Sequence, residues 1–107
     1  MDLRARILAS MKQAMKEKDA ERLSTVRLIS AAIKDRDIAA RADGNDDGVD
    51  ETEVMAILGK MTRQRQESAR TYEEAGRLDL AEREMAEIKV IEEFLPKQLS
   101  AEEISLA

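Results

Sequence analysis

The chain has 107 residues, room for one small domain, and only two of them are aromatic, so any core must be built from Leu, Ile, Val, Met and Ala. Cysteine and histidine are both absent, which excludes disulfides, thiolate nucleophiles, Cys/His zinc sites and every mechanism that uses imidazole as a base. The net charge of −5, taken alone, argues against a nucleic-acid partner, although residues 1–42 and 59–77 are mildly basic while 43–58 and 78–107 are acidic.

One proline and four glycines leave little punctuation, which predicts a few long helices in place of many short strands. The first helix is expected over about residues 2–18. Asp2 serves as its N-cap, and Leu3, Ile7, Leu8, Met11, Ala14 and Met15 recur at helical spacing. This stretch also has the makeup of a basic targeting segment. Its acids Asp2, Glu17 and Asp19, with a single serine, point instead to an ordinary helix and to the cytoplasm as the expected compartment. No run is long and uncharged enough for a membrane span, and no membrane association is expected.

Asp19 reads as the N-cap of a second helix over about 20–41. Its apolar residues fall on two sides, Leu23, Val26, Ile29 and Ile33 on one and Leu28, Ala31 and Ile38 on the other, so it is expected to be buried on both. The run Asp43-Gly-Asn-Asp-Asp-Gly-Val-Asp50 then breaks the pattern with turn formers. Asp50 with Glu53 resembles a capping box for a third helix over about 51–75, striped by Val54, Ile57, Leu58, Met61 and Tyr72 and ended by Gly76. Asp79 with Glu82 repeats that capping pattern before a fourth helix carrying Leu80, Ala81, Met85, Ile88, Ile91 and Leu95, which Pro96 stops. Ser100 and Glu103 form one more capping box before the chain ends. The expected fold is therefore all-α: a small helical bundle of two helical hairpins over 1–96, then, over 97–107, a linker and the start of a further helix belonging to a tail domain that is cut short.

Several stretches carry a family resemblance. They are Arg22-Leu-Ser-Thr-Val-Arg-Leu-Ile-Ser-Ala-Ala-Ile33, Arg63-Gln-Arg-Gln-Glu-Ser, Tyr72-Glu-Glu-Ala-Gly-Arg77, Asp79-Leu-Ala-Glu82 and Ile91-Glu-Glu-Phe-Leu-Pro-Lys-Gln-Leu-Ser100. Together they resemble the N-terminal helical domain of YqeY-like proteins, in the GatB/YqeY family. The resemblance implies a helical domain followed by a smaller helical tail. That tail is shared with the B subunit of glutamyl-tRNA(Gln) amidotransferase, where it engages tRNA. It thus implies a link to tRNA, mainly through the tail, or to tRNA-dependent amidation by a carbon–nitrogen ligase using glutamine, without the kinase and amidase machinery of such enzymes.

Four groups of residues are candidate sites. Asp43, Asn45 and Asp47 match the spacing of a calcium loop, but its twelfth position is Val54, and Glu53 lies one residue early, about 100° away on a helix. A solvated acidic loop explains the same residues. Lys60, Arg63, Arg70 and Arg77 fall within a sector of about 100° opposite the apolar stripe of the third helix and could meet phosphates. The plainer reading is a solvated face on which Glu67 and Glu74 pair with these bases. With only Tyr72 and Phe94 aromatic, stacking on single-stranded bases is disfavoured, leaving contact with phosphates. Arg65 and Glu84 each fall inside an apolar stripe and are expected to form an interhelical ion pair. Met11, Met15, Met55, Met61 and Met85 read as core gap-fillers. No nucleophile has a base partner and no Gly-rich phosphate loop is present, so no catalytic residue and no cofactor is expected. The expected function is a non-enzymatic, RNA-associated accessory module, with a protein-docking module, a weak calcium-binding helix-loop-helix and an amidotransferase-related activity as the alternatives.

Overall fold

Local sequence dictates four helices: α1 (Leu3–Glu17), α2 (Ala20–Ala42), α3 (Glu51–Glu74) and α4 (Leu78–Glu92). A computed structural model describes residues 2–96, and among them there is no strand. The all-α expectation holds; the predicted Ser100–Glu103 capping box and tail helix lie outside the described residues. The chain divides into two compact units, one through Ile57 and one from Leu58 onward.

In the first unit, α1 begins where Asp2 accepts from the Ala5 amide at 2.8 Å. It ends at Lys18, a left-handed residue (φ 58°), with the Asp19 amide reaching back to the Ala14 carbonyl at 2.9 Å. Asp19 at once caps α2 by accepting from the Arg22 amide, so a two-residue turn folds α2 back on α1. One face of each helix is buried: Leu3, Ile7 and Ala14 from α1, and Thr25, Val26, Ile29 and Ile33 from α2. Thr25 satisfies its hydroxyl by donating to the Glu21 carbonyl one turn earlier.

The second face expected for α2 does not form. Leu28 is 44% exposed and Ile38 55% exposed, and Ala31 is exposed as well. One helix surface suffices to bury the Val26–Ile29–Ile33 stripe, and an isolated apolar side chain at the surface carries little penalty. The methionines follow the same pattern. Met61 is buried and Met11 and Met55 are half-buried, but Met15 and Met85 lie at the surface and fill no core gap.

In the second unit, α3 and α4 form a hairpin around Gly76. Its φ of +76° is the left-handed conformation that glycine adopts without strain. The Gly76 and Arg77 amides donate to the Glu73 and Tyr72 carbonyls, closing α3 as a glycine C-cap does. The predicted Asp79 capping box is not the start of α4. Arg77 occupies the N-cap without a side-chain cap bond, and Asp79 lies inside the first turn, where its carboxylate meets the helix dipole. Leu58, Met61, Ala69, Ala81, Ile88, Ile91 and Phe94 are buried.

Candidate functional site

Three polar constellations were legible in part from the sequence, and a fourth was not. The unanticipated one joins both ends of the first unit. Arg4 donates to Asp37 through both terminal guanidinium nitrogens, at 2.6 and 3.0 Å, and to the Val49 carbonyl at 2.9 Å. Asp37 in turn accepts from the Val49 amide at 2.9 Å, and Glu51 accepts from the Leu3 amide at 2.8 Å. The arginine fork and the amide together hold the Asp37 carboxyl at about 2, below its usual range. This clasp seats the 48–51 segment against α1 and α2. Each contact spans 12 to 48 residues, so no local pattern announces it.

In the loop with calcium-like spacing, two side chains are engaged by nearby backbone. Asn45 accepts from the Asp47 amide and donates to the Gly48 carbonyl, while Asp50 caps the Glu53 amide at 2.9 Å. Among the described residues no three acidic side chains gather to hold a cation. Asp43, Asn45, Asp47 and Glu53 therefore serve as helix C-cap, turn and first helical turn.

Arg65 does form the expected interhelical ion pair, but with Glu87 and not Glu84. Nε lies 2.8 Å from the Glu87 carboxylate, and Nη1 donates to the Met61 carbonyl at 3.1 Å. The side chains are 15% and 24% exposed, so the pair sits at the edge of the apolar stripe, where a long arginine stem can bury itself and leave its head partly hydrated. Glu84 stays half-buried. Burial first, and then the charge of Glu87, push its carboxyl up. Replacing Arg65 with Met should lower stability by about 2 kcal/mol, because Glu87 then loses its partner at a half-buried site. An unchanged denaturation midpoint would show that the pair does not contribute to folding.

The cationic row is reshaped by the end of α3. Arg77 lies beyond the helix and pairs with Asp79 at 3.3 Å, which removes it from the row and lowers the Asp79 carboxyl. Lys60, Arg63 and Arg70 remain, all exposed, on one face of α3. Among the described residues these three form no ion pair, so the direct pairs with Glu67 and Glu74 expected for a solvated face are not made, although Glu67 shares their face. With Gln64, Gln66 and Glu67 they line a shallow, open depression. From Lys60 to Arg70 the helix rises about 15 Å, enough to span several phosphates of a nucleic-acid strand. Its lining consists of lysine, arginine, glutamine and glutamate side chains, with no nucleophile beside a base.

No helix among the described residues is long and apolar enough to cross a membrane. The model of a family described as Yqey-like protein matches residues 4–107. A Meyerozyma guilliermondii protein named "altered inheritance of mitochondria protein 41, mitochondrial" is 40% identical over 85 residues, covering 79% of this chain and 42% of that protein. Its Eremothecium gossypii namesake is 31% identical over 106 residues, covering 97% of this chain and 56% of the relative. An uncharacterized Schizosaccharomyces pombe protein is 26% identical over 99 residues, covering 92% and 76%. The chain spans about half the length of the mitochondrial relatives it matches. With its model matched over nearly the whole chain and these helices in place, the protein belongs to the YqeY-like family.

Proposed function

We propose that this chain is a non-catalytic accessory module that contacts tRNA through the Lys60, Arg63 and Arg70 face of α3, in systems that act on tRNA such as tRNA-dependent amidation. The observation that carries the reading is that three exposed cations share one helix face with no ion pair among the described residues. Unpaired surface cations gain most from replacing their counterions and those of a phosphate chain. A net charge of −5 requires that such binding be local to this face and weak at high salt. The cytoplasm remains the proposed compartment; the relatives named above are mitochondrial by name.

The test is tRNA binding by fluorescence anisotropy across a salt titration, with the wild-type chain beside an Arg63→Gln/Arg70→Gln variant. The variant should bind at least about tenfold more weakly, and its slope of log K against log salt should be shallower by about 1 to 2, one counterion per lost contact. Equal affinity and slope in the two proteins would sink the proposal.

A second reading, docking on a larger enzyme, is favoured by exposed Leu8, Met15, Leu28 and Ile38 of the first unit. Binding to a protein through these side chains would persist at high salt, which separates it from the first reading.

A further inference from the structure

Among the described residues, nothing around Gly59 requires a glycine. It lies in the interior of α3, where glycine costs roughly 1 kcal/mol relative to alanine, and its φ is the ordinary helical one. Among the described residues, a Cβ placed on it would meet only the Arg63 Nη1, at 3.6 Å, an ordinary van der Waals contact. Neither a close neighbour among the described residues nor a turn explains its presence. Its position is more telling. Gly59, Arg63, Gln66 and Arg70 follow one another at steps of four, three and four residues, which stacks them as a single ridge on the helix, with Lys60 alongside. With Arg63 swung off the notch and onto the ligand, a glycine inside a row of cations lets a ligand backbone approach the helix backbone closely while the flanking guanidinium groups grip it.

The kind of strand that fits follows from the aromatic residues. Single-strand binders stack bases on exposed rings. Here Phe94 is buried, at 4% exposure, and Tyr72 is half-buried, and the chain holds no other ring. A base-paired stem presents phosphates and ribose hydroxyls along a wide, shallow minor groove and asks for no stacking. We infer that α3 lies against the sugar–phosphate backbone of a base-paired RNA stem, with Gly59 as the point of closest approach and Lys60, Arg63 and Arg70 on its phosphates. This inference rests on the tRNA reading above, and it assigns recognition to stems in place of loops.

The probe is a fluorescent RNA hairpin with a stem of about 16 base pairs, compared with an unstructured single strand of equal length. Gly59→Ala and Gly59→Leu are measured beside the wild type and the Arg63→Gln/Arg70→Gln variant, with a thermal melt of each. Gly59→Ala should melt higher than the wild type and yet bind the stem several-fold more weakly, and Gly59→Leu should bind more weakly still. Higher stability with lower affinity is an outcome that loss of folding cannot produce. If the wild type binds the stem, the arginine variant does not, and both Gly59 variants bind like the wild type, close approach at Gly59 is overturned while the tRNA reading stands. If the single strand binds as tightly as the stem, stem recognition is overturned. If the wild type binds neither RNA, the tRNA reading fails and this inference with it.

Discussion

Truncating Ile29 to alanine is expected to destabilise the protein by about 3 kcal/mol, the usual cost of opening a cavity at a fully enclosed branched side chain. Ile29 is 0% exposed on α2, in the middle of the stripe formed with Val26 and Ile33. Its sequence neighbour Leu28, 44% exposed, is the internal control, and Leu28→Ala should change stability by no more than about 0.5 kcal/mol. Urea denaturation followed by circular dichroism measures both, with the midpoint moving and the slope constant if the native fold is retained. Comparable losses for the two variants would mean that α2 is buried on both sides after all, as its sequence alone suggests.

Gly48→Ala should cost nearly as much, about 2 to 4 kcal/mol, through two separate faults. The position has a φ of +82°, strained for any residue with a Cβ, and the added methyl carbon would stand 2.5 Å from an Asp37 carboxylate oxygen. Either the turn shifts or Asp37 lets go of Arg4 and the Val49 amide. Asp37→Asn tests the clasp without touching the turn, and it should cost about 2 kcal/mol, since a charge-assisted fork is weakened and Arg4 loses its counter-ion. Because both substitutions break the same contacts, the double variant should lose clearly less than the sum of the singles. Full additivity would show that Gly48 and Asp37 act independently.

The clasp also predicts a pH dependence. Asp37 is held at about 2 in the folded protein, below its unfolded value near 3.9. A carboxyl depressed on folding stabilises the native state above its unfolded pKa, and that stabilisation is lost as pH falls from about 4 to about 2. Arg4 is 41% exposed, so solvent screening reduces the contribution to about 1 to 2 kcal/mol. The Asp37→Asn variant should lose correspondingly less stability than the wild type across that interval.

Features that depend on neighbours within one helical turn could be read along the chain. The caps at Asp2, Asp19 and Asp50, the glycine end of α3 at Gly76 and the core stripe of Val54, Leu58 and Met61 all stand where spacing put them. These features rest on hydrogen bonds and side-chain faces three or four residues apart, which a linear reading can follow. The cations of α3 were legible for the same reason, whereas the departure of Arg77 from their row was not, because a helical wheel cannot show where a helix stops. The packing of helix on helix set which side of α2 is covered, and it led Arg65 to Glu87 across 22 residues while Glu84 remains without it. It alone brought Arg4 to Asp37 and Val49. Side chains distant in sequence find one another through the packing of whole helices, and a long arginine settles at whichever carboxylate lets it satisfy its charge while keeping some water.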